Sequence, residues 1–151
     1  MIRDELKSAV IAAMKSGDKD KVGTLRLVQA ALTNRDIELR TAATKPQDDA
    51  LVTEVLQKMI KQRRESADIY RTGGREDRAA IEEAEIAVIE TFLPAQLSED
   101  EAKAAIHAII ADTGATSMKD MGKVMAAVKA KLGTAIDPAR ASALVKALLA
   151  S

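Results

Sequence analysis

The residues best placed to do chemistry are one arginine and two glutamates near the middle of the chain. Arg63 lies in a stretch that starts near Leu51, and Glu82 and Glu85 follow the Gly73-Gly74 break. At 100° per residue, Arg63 falls on the apolar arc of its helix, and both glutamates fall on the apolar arc of the next helix. All three side chains are therefore predicted to face inward.

Three interpretations of this group are open. A guanidinium opposite carboxylates suggests an ion pair between the two helices, because an unpaired buried charge is costly, and such a pair would fix the register of a helical hairpin. In the second interpretation, one or both glutamates lie at the edge of the arc and reach water. In the third, the carboxylates form a catalytic pair, but no nucleophile or metal-ligand set lies nearby in the sequence.

The composition excludes several kinds of active site. The chain of 151 residues has no cysteine, and His107 is its only histidine. Thiolate nucleophiles and Cys/His zinc sites are therefore absent, and no phosphate-cradling glycine loop is found. We predict no catalytic residue, no metal and no cofactor, so the chain is not expected to be an enzyme on its own.

The fold class follows from the core residues that are available. Apolar residues make up 47% of the chain, but Tyr70 and Phe92 are its only aromatic residues. A core of Leu, Ile, Val, Met and Ala suits closely packed helices better than a β-sandwich. We therefore predict an all-α protein.

The first part of the chain, residues 1–94, is predicted to form a four-helix domain made of two helical hairpins. Leu27 and Ile37 lie off the main apolar face of the second helix, which suggests a central helix, and Ile81 joins the inward arc of the fourth. The predicted helices run from about Ile2 to Lys15, from Lys19 to Thr41, from Leu51 to the glycine pair, and from there towards Leu93-Pro94.

The second part, residues 97–151, is predicted to be a small three-helix domain. Leu93-Pro94 ends the preceding helix, and Ser98-Glu99-Asp100-Glu101 is a capping box that begins a new one. Gly114 ends that helix, and Asp137-Pro138 begins the last. Met118, Met121 and Met125 fit either the core or a soft surface for a protein partner.

The charge distribution limits the choice of partner. The formal net charge is zero, and residues 98–151 carry seven basic and six acidic groups. Binding to a polyanion would therefore need local patches. The candidate phosphate-binding residues are Lys119, Lys123, Lys129, Lys131, Arg140 and Lys146. Nearby acidic residues leave open the alternative that these are ordinary solvated helix faces.

The amino-terminal sequence favours a cytoplasmic location. Asp4 and Glu5 follow Arg3 directly, which is unlike an export or transit signal, and the apolar run from Ala9 to Met14 is too short to span a bilayer. No membrane association is expected.

Several motifs resemble known proteins. The carboxyl-terminal part of the chain contains Met121-Gly122-Lys123-Val124-Met125, Gly133, Asp137 and the run Leu144 to Leu149. These motifs resemble the tail domain of the GatB subunit of glutamine-dependent tRNA amidotransferase. The motifs that resemble the free-standing YqeY proteins are Leu25-Arg26-Leu27, Asn34 to Glu38, Lys61 to Ser66, Arg75 to Ile86 and Leu93 to Ser98. Together they cover nearly the whole chain in matching order.

This resemblance implies an accessory protein, catalogued by association with carbon-nitrogen ligases that use glutamine, whose tail contacts tRNA. It does not imply catalysis, because the amidase subunit and the GatB cradle domain are not represented. Relatives commonly have Gly-Arg-Ala-Asp after the methionine-bearing helix, whereas this chain has Gly133 to Asp137 without arginine. RNA contact through that turn is thereby in doubt. The alternative function is a non-catalytic scaffold for protein-protein interaction.

Overall fold

The computed structural model describes residues 1–150, and every regular element within them is a helix, with no strand. This confirms the all-α prediction. The α-helices are α1 (Ile2–Ser16), α2 (Lys19–Glu38), α3 (Asp48–Thr72), α4 (Glu76–Glu90), α5 (Glu99–Thr113), α6 (Met121–Leu132) and α7 (Pro138–Ala150), and short 3-10 segments occupy Leu39–Thr41, Met118–Asp120 and Gly133–Ala135. The chain divides into two compact units, of which the first is Met1–Leu93 and the second begins at Pro94.

Helix ends follow local sequence signals. Gly17 ends α1 in a left-handed conformation (φ 74°), and the amide of Asp18 donates to the carbonyl of Ala13 at 3.0 Å. This is the pattern by which glycine satisfies the last carbonyls of a helix. The Asp18 carboxylate then caps α2 by accepting from the amide of Lys21 at 3.1 Å, and Ser98 caps α5 in the same way.

The core of the first unit is aliphatic. Its fully buried side chains include Leu6, Leu25, Val28, Val52, Leu56 and Ile89. Helix α2 packs against α1, α3 and α4, yet Leu27 and Ile37 are 49% and 48% exposed. The prediction that Ile81 faces inward is wrong: it is 54% exposed, because it lies on the side of α4 that faces away from α2 and α3.

The α3–α4 hairpin brings together two of the three residues singled out from the sequence. Arg63 Nε donates to Glu85 Oε2 at 2.9 Å, and the two side chains are 14% and 27% exposed. Glu82 is half-buried and forms no ion pair with any of the described residues. Ala67 and Ala79, both buried, allow the two helices to approach closely. The Arg63–Glu85 pair is therefore joined by one hydrogen bond, and its carboxylate is partly exposed to solvent.

We predict that Arg63→Ala lowers the free energy of unfolding of the first unit by about 1 to 2 kcal/mol, less than the loss of a fully buried pair would cost. Tyr70 is the only tyrosine of the chain and lies in this unit, so its fluorescence in a urea titration reports on this unit. Arg64→Ala is the matched control, because the Arg64–Glu90 pair is exposed and should contribute about 0.5 kcal/mol or less. Equal effects of the two substitutions would contradict the prediction.

A second charged cluster ties three helix ends of the first unit together. The Arg3 guanidinium donates to both carboxylate oxygens of Asp36 at 2.7 and 3.0 Å and, through Nε, to Asp48 at 2.8 Å. The amide of Ile2 donates to Asp49 at 3.1 Å. The start of α1, the end of α2 and the start of α3 are therefore held by one arginine and one backbone amide.

We predict that this cluster makes the first unit acid-sensitive. Hydrogen bonds from Arg3 hold the pKa of the Asp36 carboxyl below its usual range, so its stabilising effect is present above about pH 4 and is lost as the pH falls through the folded pKa. Asp36→Asn should lower stability at pH 7 by about 1 kcal/mol or less, because the side chain is 47% exposed. The difference from the parent should shrink towards pH 3.

The measurement is a series of urea titrations followed by Tyr70 fluorescence at pH 7, 5 and 3. Asp68→Asn, which changes an exposed carboxylate without an ion pair in the described part of the chain, should leave the pH 7 midpoint near that of the parent. An Asp36→Asn midpoint that matches the parent at pH 7 would show that the Arg3–Asp36 pair contributes nothing to stability.

Candidate nucleic-acid interface

The candidate interface lies on α6, on α7 and on the 3-10 segment Met118–Asp120, which carries Lys119. The inner faces of the two α-helices build the core of the second unit. Val124 and Val128 of α6 are buried, as are Ala141 and Val145 of α7. They pack with Ala102, Ile106, Ile109 and Ile136. Because helical periodicity commits one side of each helix to this core, the basic residues between these positions lie on the outer sides.

The six candidate residues fall into two groups. Four lysines are exposed and form no ion pair within 4 Å among the described residues: Lys119, Lys123, Lys129 and Lys146. Lys131 is also exposed, but its ammonium lies 3.1 Å from Asp112 Oδ2. Arg140 is half-buried, and its Nη1 donates to the carbonyl of Leu97 at 3.2 Å. The last two side chains are thus engaged within the unit, and the first four are available to a partner.

The sequence contains no signal for the Lys131 and Arg140 contacts. The partner atoms lie 19 and 43 residues away, and one of them is a backbone carbonyl, which every residue carries. Local charge patterns indicate exposed faces, but they do not show which basic side chains form contacts within the folded protein.

The carboxylate nearest to the lysines at the start of α6 is occupied by the backbone. Asp120 Oδ2 accepts from the amides of Thr116 at 3.0 Å and Ser117 at 3.4 Å, while the Ser117 hydroxyl completes the capping box. These backbone hydrogen bonds lower the pKa of Asp120, and the charge of Lys123 adds to the effect. Asp120 therefore stays ionised, and its negative charge partly offsets that of Lys123.

The turn between α6 and α7 is held by the start of the second unit. Gln96 Nε2 donates to the carbonyl of Thr134 at 2.8 Å, and the amide of Leu97 donates to the carbonyl of Ala135 at 2.8 Å. Asp137 Oδ1 caps α7 by accepting from two amides, at 2.7 and 3.2 Å. The carbonyl groups of Thr134 and Ala135 are thus hydrogen-bonded within the unit, and the turn has no basic side chain that could contact phosphate.

The methionines serve mainly the core. Met121 and Met125 are half-buried against the core of the second unit. Met118 is 41% exposed. One exposed methionine is a smaller apolar surface than the groove expected of a protein scaffold.

A cavity lies in the first unit, between α1 and α2, where no site was predicted from the sequence. Its volume is about 350 Å³, and its lining residues are Arg3, Leu6, Lys7, Gln29, Leu32 and Thr33. Nothing in the spacing of these common residue types marks them as a group before the two helices pack.

Neither a metal centre nor a bilayer-crossing element is found in residues 1–150. No three His, Asp or Glu side chains are grouped to hold a metal ion. None of the described helices combines the length and apolar character that crossing a membrane requires.

The chain is thus a small all-α protein of two units. Exposed lysines lie on the outer side of the second unit. The profile of the family described as "Yqey-like protein" matches residues 3–149, so the chain belongs to the YqeY family.

Two fungal proteins are similar to this chain. Altered inheritance of mitochondria protein 41, mitochondrial, of Eremothecium gossypii is 31% identical over 94 residues, which are 62% of this chain and 48% of that protein. An uncharacterized protein of Schizosaccharomyces pombe is 32% identical over 94 residues, 62% of this chain and 72% of that protein. The match therefore spans about half the length of the first relative.

We predict opposite effects for two glycines at the ends of α6. Gly133 has φ 53° and ψ −124°, a conformation that strains any residue with a Cβ, so Gly133→Ala should destabilise the second unit by about 1 to 3 kcal/mol. Gly122 is helical, and a Cβ added there would meet no heavy atom within 4 Å, so Gly122→Ala should stabilise the second unit by about 0.5 to 1 kcal/mol. The protection of the Val128 amide against hydrogen exchange measures both. A Gly133→Ala protein with parental protection would contradict the strain argument.

Proposed function

We propose that this protein is a tRNA-binding accessory module related to the glutamine-dependent amidotransferase, and that a three-helix domain formed by its second unit makes the contact. The module acts by binding, and catalysis belongs to a partner. The proposal draws on the resemblance of this part of the chain to the GatB tail and on the distribution of charge over α6 and α7.

The observation that carries the proposal is the separation of charge within the second unit. From Met121 to Ala150 the chain has five basic residues and one acidic residue, Asp137. The Asp137 carboxylate is occupied in capping α7. Of the other five acidic residues of the unit, three stand at the start of α5, at Glu99, Asp100 and Glu101. The other two are Asp112, which pairs with Lys131, and Asp120, which accepts from two backbone amides. Lysines without an ion pair therefore lie near an aspartate whose carboxylate is bound to backbone amides. This arrangement favours phosphate ligands, although the net charge of the chain is zero.

The composition also suggests the mode of binding. The second unit has no Phe, Tyr or Trp, since the aromatic residues of the chain are Tyr70 and Phe92. Stacking of unpaired bases on aromatic rings is therefore not available, and recognition would rest on phosphates and on the shape of a folded RNA. A structured tRNA suits this better than an unstructured strand.

We predict that the double substitution Lys119→Glu and Lys123→Glu weakens tRNA binding strongly. Two phosphate contacts are lost, so the slope of log affinity against log salt should fall by about 1.5. Both side chains are exposed, and stability should therefore hardly change. Fluorescence anisotropy with labelled tRNA at several salt concentrations measures the affinity and the slope together.

The matched control is Lys58→Glu with Lys61→Glu on α3. These lysines are exposed and form no ion pair in the described part of the chain, and their replacement changes the net charge by the same amount. The control should alter affinity less than about threefold, because only the overall field changes. If the parent shows no salt-dependent binding at low ionic strength, the RNA proposal is wrong and the protein-scaffold alternative takes its place.

A further inference from the structure

Helix α2 carries apolar side chains on two sides. Its inner side belongs to the core of the first unit, where Leu25, Val28 and Leu32 are buried. On the opposite side, exposed residues follow one another at alternating steps of four and three positions. We call this set the outer stripe: Gly23, Leu27, Ala30, Asn34 and Ile37. The fold accounts for the inner side alone, since Leu27 and Ile37 remain 49% and 48% exposed.

The spacing of the outer stripe is that of a seam between paired helices. Steps of three and four residues repeat every seven, which keeps one line of side chains facing a second helix. Gly23 has no side chain and Ala30 only a methyl group, and a Cβ added at Gly23 would meet nothing within 4 Å. A second helix can therefore approach closely. Asn34 is the one polar member, and a single polar residue in such a seam fixes the register of pairing.

A row of basic residues borders the outer stripe along one edge. We call this set the basic row: Lys19 and Arg26 of α2, and Arg40 of the 3-10 segment Leu39–Thr41. All three are exposed and form no ion pair with any described residue. On the other edge, Glu38 is paired with Arg35 at 2.9 Å, and Asp20 lies in the first turn of the helix. The charge left unbalanced beside the stripe is therefore mainly positive.

The basic row argues against a second copy of this chain as the partner. If two α2 helices paired antiparallel, the same edge of each would meet, and basic row would face basic row, which is repulsive. If they paired in parallel, opposite edges would meet. On the edge opposite the basic row, Thr24 is buried and Ala31 is half-buried within the unit, so they are not free to form contacts.

Anionic surfaces also suit this side of α2 poorly. A membrane holds an amphipathic helix through the apolar area that it buries, and here only Leu27 and Ile37 are large, each about half covered by its own unit. Nucleic-acid phosphates would contact the basic row and leave both side chains in water. A helix with apolar residues on one face and carboxylates at its edge matches the stripe and the row together.

We propose that the outer stripe and the basic row bind an acidic amphipathic helix of a partner protein. Aliphatic side chains of that helix pack on Leu27 and Ile37 and against Ala30, and its carboxylates pair with the basic row. Exposed ion pairs of this kind contribute little affinity each, but they exclude basic partners. The surface is in the first unit and does not depend on the RNA-binding proposal.

The test is a titration of the full-length, ¹⁵N-labelled protein with a designed helical peptide. The peptide has isoleucine and leucine at the two seam positions of each heptad and glutamate along both edges, which also keeps it from pairing with itself. It should give saturable ¹H-¹⁵N shifts in α2 and in Leu39–Thr41, with a Kd of about 0.1 mM for so small an interface. The same peptide with lysine in place of glutamate should not bind.

Three outcomes of these titrations would overturn the proposal. Equal binding of the lysine peptide would show that the basic row has no part in recognition. Vesicles of phosphatidylglycerol that broaden the α2 signals, where the glutamate peptide has no effect, would assign the surface to a membrane. A change in the α2 signals when the protein alone is diluted would assign it to a second copy of this chain.

Substitutions on α2 and α3 provide the matched comparison. Arg26→Glu should weaken binding of the glutamate peptide about fivefold. Leu27→Gln should weaken it by a similar factor, because an apolar contact of half a leucine side chain is lost. On α3, Lys61→Glu and Ile69→Gln replace one basic and one apolar residue that are also exposed, and they should leave the Kd unchanged. Circular dichroism melts check that each variant is folded, and parental affinity in either α2 variant would contradict the proposal.

Discussion

The constraint on which both units depend is a core built almost without aromatic rings. One aromatic side chain buries as much area as several small aliphatic ones, and here only Phe92 packs against a core, where it is half-buried. The helices must therefore supply burial by close approach. Ala13, Ala67, Ala79, Ala102 and Ala141, all buried, are the positions where a small side chain permits it. The closeness of the helices brings opposite charges such as Arg63 and Glu85 within reach.

Much of the fold could be predicted from the sequence because it is encoded locally. Gly17, Asp18 and Ser98 mark helix ends through contacts within a few residues, and apolar spacing at a period of 3.6 gives the inner face of each helix. Leu27, Ile37 and Ile81 show where this reasoning stops. Each of these side chains lies on the part of its helix that the neighbouring helices leave uncovered, even on α2, which packs against three helices, and the arrangement of all four helices sets which part that is.

The candidate site could be predicted only in part, for a related reason. A sequence shows which residues carry charge, but not which charged side chains pair with other groups once the chain has folded. Lys131 and Arg140 have the same residue types as the free cations, and they are engaged by atoms far away in the sequence. Arg3 is the clearest case, since its carboxylate partners are 33 and 45 residues away.

The hydrogen bonds from Gln96 and Leu97 to the turn at Thr134 and Ala135 have a consequence for the order in which the second unit folds. The Gln96 donor and the Thr134 acceptor are separated by 38 residues, so this contact closes a loop that contains α5 and α6. Local helix formation is fast, whereas closing such a loop is slower and carries an entropic cost. During synthesis, α5 and α6 can form as each leaves the ribosome, but the first residues of the unit stay unanchored until the α6–α7 turn has also emerged.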